Sequence, residues 1–296
     1  MNILDLGDVA LHWREDGDPS GAPVVFSNAL GTDLRLWDKV VARLPAGYRL
    51  IRYDARGHGL SSCPPGPYGM GTLVRDAERL IERLDAGPCV FVGLSIGGMV
   101  GQALAVKRLD LVRALVLSNT AVKIATAQIW ADRISAVRTG GLEAVAEATL
   151  DRWFPKPFRT TPEVQGWRAM LTRQPVEGWA GCAAAIAGTD LMTPTSGLRL
   201  PTLVLAGAQD GSTPADLVRE TADLIPGARF HLIRGAGHLP CVDRPDEYAT
   251  VLGDFLASVG HGMGSAGHGH PHHDHDHDHD HDHDADGHTH APRRRP

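Results

Sequence analysis

One serine, one aspartate and one histidine of this sequence fall where acyl-transfer chemistry would need them. Ser95 is the centre of Gly93-Leu94-Ser95-Ile96-Gly97, preceded by the apolar run Cys89-Val90-Phe91-Val92 and followed by a helical pattern from about Ile96 to Lys107. Small residues on both sides permit a strained strand-to-helix turn that lifts the hydroxyl clear of a sheet. The same turn points the unpaired N–H groups of a helix N-terminus at the reacting carbonyl. A serine hydroxyl is a weak nucleophile and needs a base, which in turn needs a carboxylate to orient it. In strand–turn–helix hydrolases the chain order is Ser, then Asp or Glu, then His.

Downstream, Leu203-Val204-Leu205-Ala206-Gly207 leads to Asp210, and the run Phe230-His231-Leu232-Ile233 leads to Gly235-Ala236-Gly237-His238. Asp216 and Asp223 compete for the carboxylate role, and Asp210 is preferred because it comes at a strand's end. His238 is preferred to His231, which falls inside the strand. His58, in Arg56-Gly57-His58-Gly59, lies outside the expected order and reads as structural, and His12 has no partner in view. The tetrahedral oxyanion needs two donors. The N–H of Ile96 is one, and the loop Asn28-Ala29-Leu30-Gly31 offers the other, from Ala29 or its neighbour Leu30. No step of this chemistry calls for a cofactor, and no metal site is expected in the core.

These residues must be held by something, and the apolar runs say what. Pro23–Phe26, Tyr48–Tyr53, Cys89–Val92, Ala114–Leu117 and Pro201–Leu205 are short, apolar throughout and separated by helical patterns. Strands of that kind are buried on both faces. The fold class is therefore α/β, with a mostly parallel central sheet and helices on both faces. From about Ala121 to Gly197 the rhythm breaks: no strand is evident, and four of the six tryptophans (Trp130, Trp153, Trp167, Trp179) fall there. Ligands of open α/β sheets bind beyond the carboxyl ends of the strands, so a helical insertion rising there would form a lid. The expected organisation is a core over 1–120 and 198–260, a lid over 121–197, and a tail over 261–296.

That tail carries twelve of the sixteen histidines, six of them in consecutive His-Asp pairs from His273 to Asp284. With almost no apolar residue it cannot fold by burial and is predicted to be disordered. Its imidazoles suit adventitious divalent metal.

The whole chain of 296 residues is 43% hydrophobic and 22% charged, with a net charge of −6. From Gly262 onward seven Asp and three Arg give −4, which leaves −2 for the body. Nothing in that balance favours nucleic acid. No apolar stretch is long enough to span a bilayer, and the N-terminus lacks the apolar segment of a signal peptide. Four scattered cysteines with no CxxC pair fit a reducing compartment. A cytoplasmic protein is expected.

The strings SNALGTDLRLWD, RYDARGHG, GPYGM, GLSIGG, LVLSNTAVKI, RWF and GCAAAI resemble the 3-oxoadipate enol-lactonases of the α/β-hydrolase superfamily. The likeness runs from about residue 3 to about residue 258 and includes the lid. It implies opening of an enol-lactone to 3-oxoadipate in the catabolism of protocatechuate and catechol. A lactone of that kind is a small molecule carrying a free carboxylate, which wants a cation in an otherwise apolar pocket. The lid offers Lys123, Arg133 and Arg138, with Arg133 favoured because it follows Trp130, while Trp130 and Trp153 are candidates to line the pocket. Two other readings stay open. One is a different ester hydrolase or cofactor-free haloperoxidase-like enzyme with the same triad; the other is a ligand- or metal-binding protein on a hydrolase scaffold. Ser95 at the nucleophile position disfavours dehalogenases and epoxide hydrolases, which use Asp there.

Overall fold

A computed structural model describes residues 1–262. Its centre is an eight-stranded sheet of β1 (Asn2–Asp5), β2 (Ala10–Gly17), β3 (Ala22–Ser27), β4 (Tyr48–Tyr53), β5 (Cys89–Leu94), β6 (Val112–Ser118), β7 (Thr202–Gly207) and β8 (Arg229–Ile233). The spatial order is β1-β2-β4-β3-β5-β6-β7-β8. Every pairing from β4 to β8 is parallel, and only β1–β2 and β2–β4 are antiparallel. The central strands β5 and β7 are buried at every position, as parallel strands covered on both faces must be. The hairpin of β1 and β2 was not legible in the sequence. The edge strand β1 is only four residues long and largely exposed, and a short edge limits pairing with other chains.

Register brings the chemistry to one edge. Ser27 pairs with Gly93, Leu94 with Ser118, Ser118 with Leu205, and Gly207 with Ile233. The carboxyl ends of five adjacent strands are therefore level, and the loops after them carry Ala29, Ser95, Asn119, Asp210 and His238. The helix Ile96–Lys107 begins directly after Ser95. It is apolar nearly all round, as a helix with few exposed faces should be. The helix Met70–Arg83 packs on it, and buries Leu73, Ala77, Leu80 and Ile81, spaced for one helical face.

Between β6 and β7 the chain is helical, from Ala127 to Ser196, with no strand. Its helix Val176–Ala187 lies so close to the turn after β4 that a Cβ on Gly178 would sit 2.1 Å from the Gly57 carbonyl oxygen. Glycine is required on both sides of that approach, which accounts for the spelling of RGHG and for the glycine at position 178 of the Ala-rich helix.

Composition puts His261 in the tail, and the structure corrects this. Its ring is buried, Nε2 donates to the Pro23 carbonyl at 2.8 Å, and it stacks on Tyr48 at 6.1 Å. The aromatic contact and the buried hydrogen bond extend the folded body through residue 262. The predicted disorder and metal binding of the His-Asp repeat fall outside the described residues. Among the described residues no helix is long and apolar enough to cross a membrane.

Candidate active site

Ser95 occupies φ +57° and ψ −117°, a left-handed conformation that a side-chain-bearing residue adopts at a cost. The surrounding glycines hold it there. A Cβ on Gly93 would meet the Gly97 carbonyl oxygen at 2.2 Å, and one on Gly97 would meet the Ser27 carbonyl oxygen at 2.3 Å. The first and last residues of the pentapeptide are thus fixed by backbone-to-backbone approach. The Ser95 hydroxyl makes no hydrogen bond within the described residues. The amides of Ile96, Ala29 and Leu30 likewise have no acceptor among them.

The structure brings Asp210 and His238 together: His238 Nδ1 lies 2.8 Å from Asp210 Oδ2, with both side chains buried. A histidine that donates from Nδ1 to a carboxylate leaves Nε2 free to take a proton. Asp210 is heavily supported. Its Oδ1 accepts from the amides of Ser212 and Thr213, and its Oδ2 accepts from Thr213 Oγ1 and from Asn119 Nδ2, the last two at 2.7 Å each. Burial pushes the Asp210 carboxyl up, but His238 and the hydrogen bonds from Asn119 and Thr213 outweigh it, and the net shift is downward. Asn119, itself at φ +46°, also donates to the Gly237 carbonyl at 3.2 Å, next to His238. Sequence reasoning did not single it out.

The competing acids and histidines lie elsewhere. Asp216 and Asp223 are exposed on the helix Ala215–Asp223. His231 pairs with Glu247 at the surface. His58 is buried, and its Nε2 accepts the Gly31 N–H at 3.1 Å, securing the loop that carries Ala29. Burial pushes its pKa down to about 4, so it is neutral at ordinary pH.

Ser95 and His238 line one cavity, together with Trp130, Arg133, Arg152 and Trp153. No hydrogen bond joins Ser95 to His238, and such bonds are commonly long before a ligand enters. Of the three candidate cations only Arg133 reaches the cavity. Arg138 is half-exposed and paired with Glu177 at 3.0 Å, and Lys123 is exposed and paired with Asp190 at 3.3 Å. Both are corrected on this ground: each already has a carboxylate partner in solvent, away from the cavity wall. Arg152 was missed, since one arginine beside an aspartate on a helix reads as a solvated charge.

The insertion is tied by main chain to the loops that carry Asp210 and His238. The Gly211 N–H donates to the Arg152 carbonyl at 3.1 Å, and the His238 N–H donates to the Trp153 carbonyl at 2.8 Å. The Asp243 carboxylate accepts the Gly237 N–H at 2.8 Å, while its other oxygen has no partner. Burial raises its pKa to about 6.

Residues 22–245 match the family described as alpha/beta hydrolase fold. The chain is 35% identical to 3-oxoadipate enol-lactonase 2 of Acinetobacter baylyi over 83% of its own length and 93% of that protein's. It superposes on the enol-lactonase of Burkholderia xenovorans with a TM-score of 0.84 and 35% identity, covering 86% of this chain and 100% of that one. A thermophilic esterase of Thermogutta terrifontis, solved with malate bound, superposes with a TM-score of 0.81 and 30% identity, over 86% and 96% of the two chains.

Proposed function

The chain belongs to the α/β-hydrolase family, and from that premise we propose that it hydrolyses 3-oxoadipate enol-lactone to 3-oxoadipate through Ser95, His238 and Asp210. The observation that carries this reading is the buried Asp210–His238 pair on the wall of the cavity that Ser95 also lines. The enol-lactonase relatives support the substrate.

In this mechanism the Ser95 oxygen attacks the lactone carbonyl as His238 Nε2 takes its proton. Asp210 holds the ring in the correct tautomer and stabilises the imidazolium. The oxyanion lies between the N–H groups of Ile96 and of Ala29 or Leu30, which have no protein acceptor to leave. As the ring opens, His238 returns the proton to the leaving enol oxygen, which tautomerises to a ketone. Water, deprotonated by His238, then releases the second carboxylate from the acyl-serine. Trp130 and Trp153 wall the cavity, and Arg133 meets the carboxylate that the lactone already carries.

The test follows disappearance of the enol-lactone by the full chain and by its Ser95→Ala variant. Turnover that vanishes with the hydroxyl supports the reading. An inert lactone beside Ser95-dependent cleavage of simple esters keeps the mechanism and removes the substrate. Turnover that survives Ser95→Ala removes the mechanism.

A further inference from the structure

Sheltered arginines elsewhere in the body are matched with acids. Arg52 pairs with Asp16 and Asp38, Arg56 with Asp76 and Asp8, and Arg108 with Glu78, Glu82 and Asp110. Arg133 and Arg152 break that habit. Among the described residues neither has a carboxylate partner, although both are partly buried on the cavity wall. Asp151, next to Arg152 in the chain, is taken by Arg159. Arg152 donates only to the Thr149 hydroxyl at 3.0 Å, and the Arg133 guanidinium stands over the Trp130 ring at 4.8 Å. Two like charges in one partly desolvated wall repel each other and are under-solvated. Burial lowers the pKa of both, and the charge of Arg133 adds to the effect on Arg152, which falls to about 10.

An anion entering the cavity relieves both penalties at once. A carboxylate suits it best, because its two oxygens match the planar forks of two guanidinium groups. The stack on Trp130 fixes one fork and the Thr149 hydroxyl fixes the other, so little rotamer freedom remains to be lost on binding. The same cations discourage a neutral ligand, which would bury them without a counter-charge.

We propose that Arg133 and Arg152 together clamp one free carboxylate of the ligand, and that Arg152 makes the site select anionic over neutral acyl substrates. This rests on the hydrolase reading of the cavity and adds a requirement that the triad does not impose. It also distinguishes the site from that of a general esterase, for which a charged acyl chain is a handicap.

The test uses the full chain carrying Ser95→Ala, so that esters bind without being cleaved. Calorimetric titration compares monomethyl adipate, which keeps one carboxylate, with dimethyl adipate, which has none. The clamp predicts that the monoanion binds about tenfold tighter or more. Adding Arg152→Gln should bring the two ligands within about threefold, Arg152→Lys should fall between, and Arg138→Gln should leave the preference intact. Melting temperatures of each variant check folding, and the lysine variant keeps a charge should the glutamine variant unfold. Equal or undetectable binding of both esters by the parent overturns the clamp. So does a preference that persists in a folded Arg152→Gln variant. Enol-lactone turnover is scored separately. An inert lactone with the preference intact removes only the substrate assignment, and rapid turnover with no preference removes only the clamp.

Discussion

The sheet edge carries two His–Asp pairs of the same length and opposite meaning. His238 Nδ1 meets Asp210 Oδ2 at 2.8 Å after β8 and β7, and His12 Nδ1 meets Asp54 Oδ2 at 2.8 Å on β2 and after β4. A serine even stands beside the second pair. Ser61 Oγ, however, donates to the Asp54 carbonyl and accepts the His12 amide, whereas Ser95 Oγ is uncommitted on its strained turn. Asp54 spends its carboxylate on the amides of Leu34 and Leu60, and so ties two loops together. Burial pushes Asp54 up, and its hydrogen bonds from Leu60, Leu34 and His12 do not compensate. The same burial acts on Asp210 and is outweighed. Composition and distance alone therefore do not make a catalytic dyad. The proposed site adds what the other pair lacks: an uncommitted serine hydroxyl, amides without an acceptor and a shared cavity.

The sharpest way to break this contrast is to remove each carboxylate. Asp210→Asn should lower kcat by about 10³–10⁴ by favouring the wrong tautomer, with a small change in melting temperature. Asp54→Ala should keep kcat within about threefold yet cost about 2–4 kcal/mol, because two amides and an imidazole lose their acceptor. Denaturant titration beside steady-state kinetics reads both. A large kcat loss from Asp54→Ala in folded protein would erase the distinction.

Asn119→Ala should lower kcat about 10–100-fold with little change in KM, since the amide positions Asp210 and Gly237 without reaching substrate. A fall confined to KM would place Asn119 in binding instead.

A gentler test uses the opposite directions of the two carboxylates. Asp210, lowered below its ordinary 3.8, contributes stability that is present above that value and lost as pH falls through its folded pKa. Asp54, raised above 3.8, contributes stability that is present below that value and lost as pH rises through its folded pKa. Between pH 5 and about pH 3, Asp210→Asn should therefore flatten the loss of stability, and Asp54→Asn should steepen it. Urea unfolding at several pH values measures both slopes. Slopes of one sign would mean that the two sites are electrostatically alike.

The convergence of the proposed catalytic residues was legible in the sequence, and the reason is local. Ser95, Asp210 and His238 each follow an apolar strand, so a parallel sheet with level carboxyl ends suffices to converge them. His12 was only an unpartnered candidate, because it lies on β2, a strand between β1 and β4 whose mostly half-exposed residues carry no clear period. Asn119 and Arg152 were illegible for a different reason. An asparagine in a βα loop and an arginine on a helix are ordinary, and only the absence or presence of a partner across the fold gives them meaning. The same holds for Lys123 and Arg138, which Asp190 and Glu177 neutralise from distant positions in the chain.

At residues 152 and 153 one short peptide serves two masters through different atoms. Its carbonyls brace Gly211 and His238, and any amino acid supplies a carbonyl. Its side chains line the cavity and make no hydrogen bond to the loops that carry Asp210 and His238. Side-chain replacements at these two positions therefore leave both main-chain anchors in place, so under the proposed function new acyl preferences are reachable there without first rebuilding the loops that carry Asp210 and His238.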